Sequence, residues 1–437
     1  MKLGTQQISG WGGYPVQDAL VLCPNTSTEF KSALKTLSPC IARGMGRSYG
    51  DSAMAELVLQ THQMDHFKGF DPSTGLLSVQ AGVTLREILK LVVPRGWFLP
   101  VTPGTSQVTV GGAIASDVHG KNHHHAGTFG QHVTAIEVLL GTGEVVTASS
   151  TERADLFQAT CGGMGLTGII LSATLQLIPI RSSRMRQTTL KLSHLEAACE
   201  AFDAHTDATY SVAWIDCLAT GRQLGRSVLM LGEHDDIGGL ELPLKDPLQV
   251  PLYAPTALLN GLTMRAFNQA YWSRARASES APISMLPYFY PLDAIGAWNK
   301  LYGRNGFLQY QFVLPRTDGI PNLKRVLNRI AKSGQVSFLA VLKALGPVNA
   351  NLLSFPIEGY TLALDFKCSP STIELLHELD DWIMGMGGRV YLTKDAVMCE
   401  TTFKSTYPRW AEFEAVRERY GAIGAFASAQ SKRLGLG

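Results

Sequence analysis

The chain has 437 residues, enough for two or three domains at roughly 150 residues each. Lys plus Arg number 38 against 36 Asp plus Glu, a net charge of +2 with no basic block, which argues against nucleic acid as a partner. Hydrophobic content of 45% excludes a disordered chain, and seven scattered cysteines without a C-x-x-C pair suggest neither a disulfide framework nor a thiolate zinc site.

The opening residues MKLGTQQISGWGGYP lack the apolar core of a secretory signal. No apolar run reaches the length of about 18 residues that spans a bilayer. The expectation is a cytoplasmic protein, or one peripheral at the inner membrane, with no signal peptide or transmembrane helix.

In chain order, the first zone extends to about residue 180. It is glycine-rich, with β-branched runs between turn signals: VTLREILKLVV, SQVTVGGAIA, HVTAIEVLLGTGEVVTASS and TGIILSATLQLIPI. Leu85 to Val93 has the pattern of a short amphipathic helix stopped by Pro94 and Gly96. TAIEVLLGTGEVVTA reads as a hairpin around Gly141, Thr142 and Gly143.

The second zone, about 182 to 388, alternates in FLQYQFVLP and GYTLALDF with the period of half-buried strands. NLKRVLNRIAKSG and STIELLHELDDWIMGMG carry helical patterns, so an antiparallel sheet with helices on one face is expected. GGLELPLKDPLQVPLYAPTALLNGL contains four prolines and reads as a long loop, either an ordinary connection or, around Leu240 to Leu262, a membrane-facing lid. From Val390 a strand RVYLT leads to Lys394 and Asp395, then to helical segments around WAEFEAVRERYG.

Three glycine clusters mark the first zone. In Gly44-Met45-Gly46-Arg47-Ser48-Tyr49-Gly50-Asp51, alternate glycines permit either a tight turn or a backbone cradle for an anion. The second runs from Pro103-Gly104 through Thr109-Val110-Gly111-Gly112 to Ser116-Asp117-Val118-His119. The third, GMGLTG from Gly163, matches G-x-G-x-x-G, but the β-branched run after it predicts a strand where a nicotinamide fold needs a helix. Three such turns in one zone point to a large phosphorylated ligand held by backbone amides.

His123, His124 and His125 are adjacent, and in an extended segment successive side chains diverge, so no metal site is expected. Gln309 and Gln311 share one strand face. Lys394 beside Asp395 is either a surface ion pair or a site for acid–base chemistry, and Lys343 among apolar residues either snorkels or binds an anion.

GMGRSYGDSA, TPGTSQVTVGGAIASDVHGKNHHHAGTFG and CGGMGLTGII together resemble the PCMH-type FAD domain of the vanillyl-alcohol oxidase superfamily of FAD-linked oxidases. FLQYQFVLP, SFLAVLKALGPVNANLLSFPIEGY and YLTKD extend the resemblance along nearly the whole chain, most nearly to the polyprenyl-phosphoryl-β-D-ribose 2′-oxidase family. The resemblance implies an α+β fold: an FAD-binding domain over 1–181, an inserted antiparallel-sheet-plus-helices substrate domain over 182–388, and a C-terminal return over 389–437 completing the first. It implies oxidation of the ribose 2′-hydroxyl to a 2′-ketone, the first half of epimerisation to arabinose for a cell-wall or envelope glycan. An aldonolactone or alditol oxidase is the alternative, although its His-Trp-x-Glu-type motif is missing. A flavin-binding scaffold without activity is a third reading.

Carried over by position, FAD would meet Ala42, Arg43, Gly44, Met45, Gly46, Arg47, Ser48, Tyr49, Gly50, Asp51, Ser52, Gly104, Thr109, Val110, Gly111, Gly112, Ser116, Asp117, Val118, His119, Ile170 and Tyr391. Catalytic groups would be Lys394, Gln311, Lys121, His119 and Tyr49, with Gln309, Lys343, Trp214, Tyr290 and Thr361 binding substrate. Arg47 stands where covalent flavoproteins of the superfamily often carry His, so noncovalent FAD is expected, and Ala363 replaces a cysteine that some members place beside the flavin. The implied partners are a polyprenyl-phosphate sugar, an NAD-dependent keto-reductase and a membrane surface.

Overall fold

A computed structural model describes residues 4–255 and 260–437. Two large sheets occupy the amino-terminal part, beside a two-stranded pairing of Trp97–Phe98 with Ile178–Pro179. One has four strands, in the order Gly4–Ser9, Val16–Leu22, Leu57–Gln60, Ile41–Arg43. The other has five, in the order Phe67–Asp71, Leu76–Gln80, Ile169–Gln176, Val133–Leu139, Val145–Ala148. The last two form the expected hairpin, closed where the Gly143 amide donates to Leu140 O at 3.0 Å. Ile169–Gln176 is a strand directly after the third glycine cluster, as the β-branched run predicts.

Helix Leu85–Val92 is fixed by a capping box: Thr84 Oγ1 accepts from the Glu87 amide while the Glu87 carboxylate accepts from the Thr84 amide. The run SQVTVGGAIA departs from its β-branched texture. Val110–Ala115 is helical because Thr109 caps it, accepting from the Gly112 amide at 3.2 Å. The three histidines are not extended either; His123–Ala126 forms one helical turn. His123 Nδ1 accepts from the Gly346 amide at 3.0 Å, and His124 Nε2 meets Ala208 O at 2.8 Å. Among the described residues no His, Cys, Asp or Glu group is arranged to hold a metal.

The third large sheet has eight strands, all paired antiparallel, in the order Ser278–Ser284, Arg184–Leu192, Ser227–His234, Tyr210–Ile215, Ser337–Leu345, Gly359–Lys367, Phe307–Pro315, Arg389–Val390. Helices Leu195–Ala204, Gly319–Ser333 and Pro370–Gly385 cover one face. Leu308, Tyr310, Phe312, Leu314, Leu362, Leu364 and Phe366 pack there against Leu323, Leu327, Leu376 and Ile383. The alternation in FLQYQFVLP is as expected, but the strand is not half-buried: its first eight residues are all buried. Gln309 and Gln311, on the face away from the helices, line a cavity instead of meeting solvent.

The strand read in RVYLT is cut to Arg389–Val390. A tight turn follows, in which the Lys394 and Asp395 amides donate to Tyr391 O at 2.9 and 3.0 Å. Asp395 pairs not with Lys394 but with Arg433, 2.9 Å away, and the same guanidinium reaches Asp51 at 2.6 Å. Arg433 thus ties the final helix, Ala429–Arg433, to the end of the first glycine loop and to the Lys394 turn.

The proline-rich segment also differs from a plain loop. Leu248–Gln249 pairs parallel with Ile295–Gly296, and Arg86 Nη2 donates to Lys245 O at 3.0 Å. A helix starts at Gly261, inside the stretch expected to be a lid, and residues 256–259 of that stretch lie outside the described residues. No described helix is long and apolar enough to cross a membrane.

Leu364 is fully buried between sheet and helices, so Leu364→Ala is expected to lower stability by about 2–5 kcal/mol in urea unfolding through the cavity it leaves.

Candidate active site

A cavity of about 1030 Å³ lies between the glycine loops and the eight-stranded sheet, at the upper end of the roughly 300–1,000 Å³ usual for ligand pockets. The first glycine loop forms one wall. Gly44, Met45, Gly46, Arg47 and Ser48 all line the cavity, and among the described residues their five amides donate to no protein acceptor. Consecutive unbonded N–H groups form a concavity suited to an anion. Gly46 makes the bend with φ of +61°. Gly44 lets the first loop meet the second: a Cβ there would lie 2.3 Å from Thr109 Oγ1.

In the other two glycine clusters part of the amides are taken up by the protein itself. Gly111 and Gly112 line the cavity, but their amides are occupied, donating to Ala81 O at 2.8 Å and Thr109 Oγ1 at 3.2 Å. In the third cluster the amides of Gly162, Gly163 and Met164 donate to Ile114, Thr160 and Ala115 carbonyls. These amides serve close packing, while those of Gly104, Thr105 and Gly165, which also line the cavity, join the first loop as donors without an acceptor among the described residues.

Most of the residues carried over by resemblance line this cavity: Ala42, Arg43, Tyr49, Ser52, Gly104, Thr109, Ser116, Val118, His119, Ile170 and Tyr391 beside the glycine loops, and Lys121, Trp214, Gln309, Gln311, Lys343, Thr361 and Lys394 across from them. Five do not. Val110 is buried in the amino-terminal core, and Gly50 lies tight against Asp395 O, where a Cβ would have no room. Asp51 turns to Arg433. Asp117 is fully buried and accepts from Asn349, Asn351, Ser354 and the Gly130 amide. Tyr290 is buried behind the wall, its hydroxyl 2.6 Å from Thr102 Oγ1. Each polar group among them is satisfied within the protein.

Strand register sets the opposite wall. Gln309 lies opposite Asp365, Gln311 opposite Ala363 and Lys343 opposite Thr361. Gln311 Nε2 donates to Thr361 Oγ1 at 3.2 Å and to His119 Nε2 at 3.0 Å. With Nε2 accepting, the His119 proton sits on Nδ1, a buried atom with no partner among the described residues. Burial, then the charges of Lys343, His123 and Lys394, hold His119 well below its ordinary pKa, so it is neutral.

Lys394 Nζ lies 3.9 Å from the centre of the Tyr49 ring. Burial, opposed by Asp365 and aided by Lys343, lowers its pKa to about 7. Lys121 is likewise lowered to about 7 by burial and then by Lys343; its ammonium donates to Tyr288 O and sits 4.2 Å from that ring. Burial lowers Lys343 to about 8. Arg47 stacks its guanidinium 3.8 Å from the Trp11 ring centre and donates to Gln107 O at 3.3 Å.

Two polar groups were absent from the sequence reading. Asp365 is fully buried and accepts from Gln309 Nε2 at 2.5 Å and Tyr302 Oη at 3.2 Å. It falls two residues after Ala363 and four after Thr361, so the period that linked Gln309 and Gln311 would have marked it. Asp293 accepts from Thr105 Oγ1 at 2.5 Å and from the Ser106 amide at 2.7 Å, fastening the sheet domain to the second glycine loop. No sequence period links positions so far apart.

Residues 19–149 match the FAD binding domain family. The chain is 37% identical, over 99% of its length and 98% of the relative, to decaprenylphosphoryl-β-D-ribose oxidase of Mycolicibacterium smegmatis. The chain belongs to the decaprenylphosphoryl-β-D-ribose oxidase family. L-gulonolactone oxidase of Bos taurus is 28% identical over 37% of this chain and 36% of its own. Delta(24)-sterol reductase of Homo sapiens is 31% identical over 30% of this chain and 25% of its own. The family member described here is thus an FAD-dependent oxidoreductase of the α+β vanillyl-alcohol oxidase type. The residues present fit that cofactor: five unbonded amides for an anion, and an unpartnered buried donor at His119 where the glycine loops face the sheet.

Gly44→Val would drive a side chain into Thr109 and displace the donor loop. The variant is expected to purify without flavin absorbance while keeping its far-UV circular dichroism.

Proposed function

We propose that this protein oxidises the 2′-hydroxyl of a polyprenyl-phosphoryl-β-D-ribose to the 2′-ketone, the first half of an epimerisation to the arabinose form. The observation that carries the reading is one wall holding neutral His119, Gln311 and three half-buried lysines across from an amide loop. A sugar needs the hydroxyl partners, and its phosphate needs the cations. The likeness to the lactone oxidase covers only about a third of the chain, so it offers no comparable support for a lactone substrate.

The amides of residues 44–48 would hold FAD noncovalently, and the bound cofactor would supply the hydride acceptor. Noncovalent attachment is supported by Arg47, whose side chain is occupied on Trp11 and cannot bond a flavin carbon. Gln311 and Thr361 orient the sugar hydroxyls, with His119 held by the Gln311 hydrogen bond. Lys343 and Lys121 draw the phosphate. Lys394, over Tyr49 with its pKa lowered to about 7, lines the cavity where cofactor and sugar would meet and would take part in moving the hydroxyl proton.

The domain division at 181/182 is supported by sheet membership, since no strand before Arg184 joins the eight-stranded sheet; the first two residues of the proposed C-terminal return, Arg389–Val390, still form that sheet's last strand. The ketone product calls for a reductase, and an NAD-dependent one is the proposed partner. Contact with a membrane surface is supported by Leu248, Leu252 and Leu262, which are 80%, 77% and 80% exposed. Phe267, Tyr271 and Ile295 are partly exposed and line the cavity, so the apolar patch is continuous with its mouth. Lys300 and Arg304 flank Tyr253 beside it, as an anionic surface would require. That surface supports the reading of an enzyme peripheral at the inner membrane.

Anaerobic addition of a polyprenyl-phosphoryl ribose is expected to bleach the flavin band, with soluble sugar lactones leaving it intact. Lys394→Met should retain FAD and lose the bleaching. Because burial lowers all three lysines, their charge is present below about 7 to 8 and lost above. KM for the phosphorylated lipid should therefore rise as pH passes from 7 to 8, and Lys343→Met should flatten that rise. The triple change Leu248→Asp, Leu252→Asp and Leu262→Asp should abolish sedimentation with anionic vesicles while leaving FAD bound.

A further inference from the structure

Asp365 stands directly opposite Gln309 in the register and on the cavity-side face of its strand, yet it has no solvent exposure. Its carboxylate is aimed by two neighbours, Gln309 Nε2 at 2.5 Å and Tyr302 Oη at 3.2 Å, and its own amide is fixed by Ser337 Oγ at 3.0 Å. Tyr302 is in turn stacked on Phe307, with ring centres 4.2 Å apart. A buried carboxylate held this tightly without a direct ion pair needs a charge to answer. The charges acting on Lys394 are those of Asp365, which favours its ammonium, and Lys343, which opposes it. Tyr49, whose ring carries the Lys394 ammonium, also feels Asp365 and packs edge-on against Phe307, ring centres 5.5 Å apart, the ring on which Tyr302 is stacked. Asp395, the neighbour in sequence, is engaged by Arg433 and does not serve.

We infer that Asp365 is a positioning residue for the reaction: the buried counter-ion that, with Gln309 and Tyr49, holds Lys394 as an oriented ammonium against the repulsion of Lys343. The inference rests on the role proposed above for Lys394, but its test needs no substrate. Opposite charge is what keeps a lysine protonated in a dry site, and removing it shifts the titration down by about 1–3 units. Around neutrality Asp365 itself is ionised, since burial raises its pKa only to about 6. The groups facing this pair are Lys343, Tyr49, Tyr302 and neutral His119, and none can replace the lost negative charge.

The experiment is a pH titration of holoenzyme labelled with lysine carrying carbon-13 at Cε, the Lys394 resonance being the one missing from Lys394→Met. Asp365→Asn, which keeps the shape and a hydrogen-bond acceptor, is expected to move the Lys394 midpoint down by about one unit or more while FAD stoichiometry stays unchanged. Asp365→Glu should return it toward the parent value. Tyr302→Phe, which leaves the carboxylate in place, should produce a smaller downward shift and serves if Asp365→Asn does not fold. An unchanged Lys394 midpoint in the folded variants would overturn the inference. Shifted midpoints together with no flavin bleaching by the phosphoryl ribose would leave Asp365 as the counter-ion and count instead against the substrate reading.

Discussion

Three half-buried lysines lining one cavity repel one another, and most of the site is an answer to that constraint. Lys121, Lys343 and Lys394 each lose hydration, and burial moves all three toward neutrality. What the protein supplies against the charge is modest: the faces of Tyr288 and Tyr49, one backbone carbonyl and the carboxylate of Asp365. An anionic ligand completes the balance, which is why a phosphorylated sugar suits this wall. Across from it a loop with five unbonded amides asks for a second anion. The cavity is therefore built for two negatively charged molecules meeting at its middle.

Rigidity comes from elements that never touch the cavity. The helices behind the eight-stranded sheet fix every second residue of its central strands, and the residues between them are thereby aimed at the ligand side. Arg433 closes the other end, binding Asp51 after the donor loop and Asp395 after Lys394 with one guanidinium. Buried ion pairs of this kind owe their value to geometry and to mutual satisfaction more than to net Coulomb gain. Their effect here is to set the distance between the cofactor cradle and the lysine turn.

Local signals were legible where chemistry is local. The hairpin at Gly141 to Gly143, the helix from Leu85 and the strand after the third glycine cluster all follow from turn residues, caps and β-branching. The helix Val110–Ala115 was missed because one threonine cap outweighed the β-branched texture. Asp51 and Asp117 share loops with cavity residues but face away, because partners distant in the chain, Arg433 and Asn349 to Ser354, capture their carboxylates. Asp365 was available to the same two-residue period that singled out Gln309 and Gln311.

By itself the sequence determined the alternation of strands and helices, the glycine clusters and the family motifs, since each depends on neighbours within a few residues. Tertiary structure alone decided which glycine amides remain free, which carboxylates are captured and that Lys394 lies over the Tyr49 ring while Asp395 pairs with Arg433. Hydrogen-bond satisfaction and the charge state of a buried group depend on everything packed around them, and that neighbourhood exists only once the chain has folded.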